Sequence, residues 1–443
     1  MFKKTFKGGV HPFDGKEYAR DIPYRDYLPK GEMVFPMNMN IGRPADPCVK
    51  KGDTVLAGQT IGQAGGYMSV NVASSCSGTV KAVENRRTVS GAMAMCVVIE
   101  NDGQYTMAEG IGEKTDYTTL TKEEILSKIQ NAGIIGMGGA GFPVHVKLAP
   151  KNPYGIEYII ANGAECEPYI TCDDQLMRTK ADEIVEGMKI MLQLFPTAQG
   201  VIVIEENKPE AIASMQKACE GVDKVTVHPV QTKYPQGGER SMMVVVANKH
   251  IKLGMLPADV GCIVDNVATI RAIYRAVCLN EPLMERGFTV SGDIVNEPGN
   301  FNVKIGTSFA ELLEAAGGLK EGKEAQKIVC GGPMMGIAMA ELEVPICKNN
   351  NAMTVFEVDD VAVAQEKMTA CIRCGRCGRV CPLGLTPQLM AVAAEHKNYE
   401  QYEKLYGLEC IACGSCTYIC PARRPLMQLF KQTKAEITAA KRK

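Results

Sequence analysis

Eight of the 18 cysteines fall between residues 371 and 420, in two copies of one spacing. Cys371, Cys374, Cys377 and Cys381 precede Pro382; Cys410, Cys413, Cys416 and Cys420 precede Pro421. Both copies read C-x2-C-x2-C-x3-C-P, the spacing that holds a [4Fe–4S] cluster. The fourth cysteine of such a run ligates the other cluster. The expected sets are therefore Cys371, Cys374, Cys377 and Cys420 for cluster 1, and Cys410, Cys413, Cys416 and Cys381 for cluster 2. A disulfide framework would need an exported chain, and MFKKTFKGGVHPFDG has no apolar core of a signal peptide. Structural zinc sites place their C-x2-C pairs across a longer gap. Two clusters imply one-electron transfer.

A second candidate lies in Gly136-Met137-Gly138-Gly139-Ala140-Gly141-Phe142-Pro143. Such a loop lets main-chain N–H groups approach an anion without a Cβ in the way. It does not follow a strand as G-x-G-x-x-G, so the Rossmann fingerprint is absent. A tight turn would explain some of these glycines but not all. Lys147 is within reach of a phosphate or a flavin ring. Two polar turns follow: Asn162-Gly163-Ala164-Glu165-Cys166-Glu167-Pro168 and Tyr234-Pro235-Gln236-Gly237-Gly238-Glu239-Arg240. Each could be a turn with helix-capping carboxylates. Grouped with the glycine loop and a two-cluster wire, they favour a nucleotide or flavin site at the C-terminal ends of parallel strands.

These residues need a scaffold, and the patterning predicts a multidomain α/β protein. Residues 1–29 form an N-terminal segment. Residues 30–118 carry turn glycines between short strands, a β barrel-sandwich module with its linker. It is lipoyl-like, but no lysine lies between Gly52 and Val80 to bear a cofactor. Residues 119–285 alternate strands such as IEYIIANGA and GVIVIEEN with helices, including TKEEILSKIQNAG and DDQLMRTKADEIVEGMKIMLQLF; this is an α/β layered domain. Residues 286–345 suggest a β-grasp module, with a hairpin at Asn296-Glu297-Pro298-Gly299 and a helix capped by Thr307 or Ser308. Residues 346–369 look like a connector. Residues 370–425 form a helical two-cluster domain, because the stretch between Cys381 and Cys410 is too helical for a compact β-type ferredoxin. Residues 426–443 read as a basic tail, the solvated end of a helix.

Charge and hydropathy exclude several classes. Lys plus Arg (49) nearly balance Asp plus Glu (50), so net charge implies no nucleic-acid partner. No run of about 18 uncharged apolar residues marks a membrane span.

Taken in order, GMGGAGFPVHVK, NGAECEP, YPQGGE and IVDNVATI resemble four motifs of the NADH-oxidising, FMN-binding subunit of respiratory complex I. With the N-terminal GGVHP, the barrel-like module and the doubled ferredoxin spacing, the chain resembles the RnfC subunit of the Rnf electron-transport complex from Gly8 to Pro421. The resemblance implies that Gly136, Gly138, Gly139, Gly141, Lys147, Asn162, Glu165, Tyr234, Gly238, Glu239, Asn266 and Thr269 face FMN. It implies that Phe142 and Glu167 meet NADH, with Glu165 and Glu167 positioning the nicotinamide; Phe142, Glu165 and Glu167 are the catalytic candidates. Met137, Ala164, Asp265 and Arg240 depart from the complex I pattern, mainly at the dinucleotide contacts, and one residue is inserted between Tyr234 and Gly238.

The expected activity is NAD(H)-linked electron exchange through FMN and two [4Fe–4S] clusters. The expected setting is an ion-translocating complex, peripheral on the cytoplasmic face of the cell membrane. Its partners would be the other Rnf subunits, including an iron–sulfur subunit, and ferredoxin indirectly. Two alternatives stay open: a stand-alone cobalamin reductase of the propanediol-utilisation type, and a non-catalytic electron wire or scaffold.

Overall fold

The computed structural model describes residues 4–441 apart from Leu253. Residues 33–101 form the expected sandwich. One sheet pairs Met33–Pro36, Met93–Asn101, Gly78–Arg87 and Thr54–Val55; the other pairs Asp46–Pro47, Thr60–Gln63 and Val72–Ala73. Met33, Phe35, Val55, Ile61, Val72, Val97 and Ile99 are fully or almost fully buried and form part of one continuous core.

The next domain holds four parallel strands in the order Val225–Val230, Gln199–Glu205, Tyr158–Gly163 and Cys262–Asn266. Ile159 to Ala161 and Val201 to Ile204 are buried without interruption, because helices cover both faces. The register sets Asn162 opposite Asn266 at the C-terminal ends of two neighbouring strands. The helix Lys122–Asn131 starts at a capping box, in which Thr121 and Glu124 bond each other's backbone N–H. The segment expected as one helix from Asp173 onward is two, Cys172–Thr179 and Ala181–Leu194, broken at Lys180. The break leaves the first helix free to point its N-terminus at the loop after Gly163.

The β-grasp module corrects two expected boundaries. Its six-stranded sheet runs Arg25–Tyr27, Gly299–Lys304, Glu285–Gly292, Ala352–Phe356, Lys327–Cys330 and Ile337–Ala338. The N-terminal segment thus supplies an edge strand, and the Arg25 guanidinium lies 4.3 Å from the Phe301 ring centroid. The supposed connector supplies an interior strand, with Ala352, Met353 and Val355 fully buried. Apart from Thr354 the strand is apolar and lacks the alternation that would betray it. Ser308, of the two cap candidates, accepts from Glu311 N and caps the helix Phe309–Ala315.

The cluster domain is helical, as expected. The C-terminal segment is a helix, as expected, but not a solvated one: Leu426–Lys441 buries Phe430 and Ile437 against Met390 and Tyr402. Its Lys434 Nζ donates to the Cys410 carbonyl at 2.8 Å. The buried positions 426, 430, 433 and 437 carry the helical period that its basic residues obscure. Among the described residues, no helix is long and apolar enough to cross a membrane.

Candidate functional site

The eight cysteines gather into two groups. Cys371, Cys374, Cys377 and Cys420 line one cavity. Cys381, Cys410, Cys413 and Cys416 line another, walled by Leu383, Ile411, Met427 and Phe430. Each loop thus sends its fourth cysteine to the other cavity, and four converging thiols in a largely apolar wall fit a [4Fe–4S] cubane. The two sites differ in exposure. Cys371 and Cys374 are exposed, whereas Cys413 is buried.

The second group is the inner one. The Tyr234 hydroxyl donates to the Cys413 carbonyl at 2.7 Å, and Val10, Tyr234, Met334 and Cys413 form one apolar cluster joined by Ile411 and Ile419. Arg240 pairs with Glu409 at 2.6 Å, just before Cys410. The N-terminal segment straps the junction. Gly9 N donates to Val380 O, Val10 exchanges both backbone bonds with Tyr234, and a Cβ on Gly8 would lie 2.7 Å from the Cys381 carbonyl.

The glycine loop packs on the turn that follows Cys262–Asn266. Met137 N donates to Thr269 Oγ1 at 2.9 Å, and a Cβ on Gly138 would meet the Asn266 side chain at 2.8 Å. Gly136 N bonds Phe142 O, closing the loop, and Gly141 has φ +76°. Gly138, Gly139 and Ala140 are exposed, and among the described residues their N–H groups bond to no other protein group. A Cβ on Gly139 would meet nothing within 4 Å, so the loop opens onto free space. Lys147 Nζ bonds Asp265 Oδ1 and Val264 O, both at 2.8 Å. The other Asp265 oxygen is buried and has no partner among the described residues. Asn266 caps the helix Val267–Cys278 and donates to Asp173 Oδ2 at 2.6 Å. Asn162 donates to Gly237 O at 2.8 Å, tying Gly237 and Gly238 to the same edge. Open N–H groups, a lysine and an unsatisfied buried oxygen at the strand ends fit a phosphorylated flavin ligand such as FMN.

The two carboxylates of the NGAECEP loop are turned to the protein. Glu165 has φ +47° and accepts from Asp173 N at 2.6 Å and Asp174 N at 3.2 Å, at the first turn of the helix Cys172–Thr179. Burial pushes its carboxyl up to about 8 against the pull of Lys16. Glu167 accepts from Met334 N at 2.7 Å and Met335 N at 3.2 Å, and burial raises it to about 7.

The structure therefore sets the Gly136–Gly141 loop beside Asn266 and Thr269, with Lys147 on Asp265 and Asn162 opposite Asn266 on the neighbouring strand. Phe142 is half-buried at the loop's end, and Gly238 precedes Glu239, whose charge bears on Lys147. Tyr234 and Glu167 engage the inner cysteine loop and the β-grasp loop instead. Sequence reasoning missed Lys16 and Lys208, both almost wholly buried. Lys16 Nζ bonds Glu167 O and Ile170 O, and Lys208 Nζ bonds Ala164 O at 2.6 Å, so two lysines clamp the NGAECEP carbonyls. No local pattern distinguishes them from surface lysines.

Comparison with known proteins matches these parts. Residues 4–104 match the RnfC barrel sandwich hybrid domain, 129–275 the Nuo51 FMN-binding domain, 288–338 the SLBB domain and 364–421 a 4Fe-4S dicluster domain. A solved NAD+-reducing [NiFe]-hydrogenase in the air-oxidised state shares the fold, at TM-score 0.50 and 17% identity over 75% of this chain and 72% of that one. The C subunit of the Proton-translocating ferredoxin:NAD(+) oxidoreductase complex of Clostridium ljungdahlii is 42% identical over 99% of this chain and 95% of its own length. The C subunit of the Na(+)-translocating ferredoxin:NAD(+) oxidoreductase complex of Acetobacterium woodii is 38% identical over 99% of this chain and 98% of its own length. With this identity along its whole length, and with the domains in this order, the chain belongs to the RnfC family, the C subunits of ion-translocating ferredoxin:NAD(+) oxidoreductase complexes.

Proposed function

We propose that this chain is the NAD(H)-facing electron-transfer subunit of an Rnf complex, working with FMN and two [4Fe–4S] clusters and attached to a membrane assembly through its other subunits. The observation that carries this reading is the packing of the inner cysteine group against the domain that holds the glycine loop, sealed by Tyr234 and Cys413.

The chemistry supplied by bound FMN is the exchange of a two-electron hydride for single electrons. The protein's part is positioning. The free N–H groups of Gly138, Gly139 and Ala140 offer donors to an anion. Burial works against the charge on Lys147, but Asp265 and Glu239 together outweigh it and hold the lysine charged. Lys16 and Lys208 fix the loop between Asn162 and Pro168 from beneath, so that Asn162 stays aligned with Asn266. Phe142 offers an aromatic surface beside the opening for the nicotinamide. The apolar wall of Val10, Ile411 and Met334 excludes water between the inner cysteines and this domain. Glu165 and Glu167 act through the backbone they hold, as positioning residues.

An anaerobic NADH titration of the reconstituted chain, followed by visible and EPR spectra, tests this. Bleaching of flavin absorbance followed by cluster signals is the expected result. Reduction by dithionite but not by NADH would refute it.

A further inference from the structure

Glu239 and Arg240 are the first two residues of the helix Glu239–Ala247, and they serve different sites. Glu239 bears its charge on Lys147, at the glycine loop. Arg240 crosses from the α/β domain to Glu409 in the cluster domain, the residue before Cys410. Its Nη1 lies 2.6 Å from Glu409 Oε2, and only 23% and 11% of the two side chains are exposed. That oxygen is buried and accepts no hydrogen bond of normal geometry among the described residues, so charge rather than hydrogen bonding holds the pair.

The cysteine loop does not need this carboxylate for its own fold. The two loops share their ligand spacing, and Ala370 stands before Cys371 where Glu409 stands before Cys410. A carboxylate beside four thiolates is unfavourable by itself, since it adds like charge to a negative group in a largely apolar wall. It is tolerated because a cation from another domain meets it, and loss of either partner leaves the other unpaired and largely out of water. Lys434 brings a second cation to the Cys410 carbonyl, at 2.8 Å, but from the cluster domain's own C-terminal helix.

We infer that the Arg240–Glu409 pair sets the electrostatics of the inner cysteine group: Arg240 is a positioning residue that holds the inner cluster's reduction potential up, and Glu409 pulls it down. Reduction at that group, by one electron drawn from the flavin, adds one negative charge. Arg240 favours the added charge and Glu409 opposes it; net charge nearby is one of the levers on a cluster's potential. Because the two charges lie side by side they largely offset each other, and removing one exposes the other. The inference rests on the reading above that the inner group holds a cluster fed from the flavin.

The test is a mediated redox titration of the reconstituted full chain, with EPR reading both cluster midpoints and Cys374→Ala identifying the inner signal. Arg240→Gln should lower the inner midpoint, so that the ratio of reduced to oxidised cluster at a fixed potential falls about ten-fold, or about 59 mV for one electron. Glu409→Gln should raise it by a similar amount. The double variant should return it close to the parent, as should Arg240→Lys, and the outer midpoint should stay fixed throughout. Opposite signs separate charge from packing, since a merely structural contact gives no such reversal. Shifts of the same sign in the two single variants, or none in either, would overturn the inference. If Arg240→Gln loses its iron, Glu409→Gln, which leaves no carboxylate unpaired, decides alone: no rise in its midpoint overturns the inference. An inner group that takes up no iron in the parent chain would overturn both the inference and the cluster assignment. Midpoints that behave as expected while NADH reduces nothing would uphold the role of the pair and refute the NAD(H) reading.

Discussion

The hydroxyl of Tyr234, in the glycine-rich turn of the α/β domain, donates to the backbone carbonyl of Cys413, in the inner cysteine group, at 2.7 Å. Both residues are buried, so the bond is shielded from water. Tyr234→Phe removes the donor and orphans the carbonyl, costing about 1 kcal/mol in stability. The expected phenotype is selective: iron and flavin are retained, while NADH-driven cluster reduction slows in stopped-flow traces. Loss of flavin binding instead would return Tyr234 to the flavin contact that the family resemblance implied.

Gly8 is held at φ +83° against the Cys381 carbonyl. Gly8→Ala adds both backbone strain and a 2.7 Å contact with main chain that cannot yield. Iron analysis should find fewer than two clusters per chain, with cavity-lining mutations in the outer group leaving this loss unchanged.

Lys147, partly exposed, pairs with the fully buried Asp265. Lys147→Met leaves the carboxylate buried and alone, which should cost about 3 kcal/mol. Adding Asp265→Asn should recover much of that. Chemical denaturation of the two variants and the parent measures the coupling, and flavin retention on gel filtration reports the cradle separately.

Glu167 supplies a pH signature. Burial raises its carboxyl from 4.5 to about 7, although the Met334 and Met335 amides pull it down. Between these values the folded chain keeps a proton that the unfolded chain has released. Stability therefore falls as pH rises from 4.5 through about 7 and levels off above it, by up to about 3 kcal/mol. Thermal midpoints of the parent should drop across that window relative to Glu167→Gln. Parallel curves would show that the Glu167 proton is not linked to folding.

The sequence carried the chemistry further than the architecture. The doubled cysteine spacing is local, and the structure groups the cysteines in the same two sets of four, with Cys381 and Cys420 crossing to the other loop's group. The capping box at Thr121 and the buried strand around Ile160 were equally local. Strand 352–356 and edge strand 25–27 were not, since their partners lie far away in sequence. The roles of Lys16 and Lys208 were hidden for the same reason: a buried lysine differs from an exposed one only by what folds over it. GGVHP was legible as a motif, but its reason, Gly8 stacked on Cys381, exists only in three dimensions.

The order of the two cysteine groups is the central structural claim, and rapid-freeze EPR after mixing with NADH tests it directly. In Cys374→Ala, which strips the outer group, the remaining inner cluster should still be reduced at the parent rate. In Cys413→Ala, which strips the inner group, the outer cluster should be reduced far more slowly or not at all. Reduction of the outer cluster at the parent rate in Cys413→Ala would contradict the account.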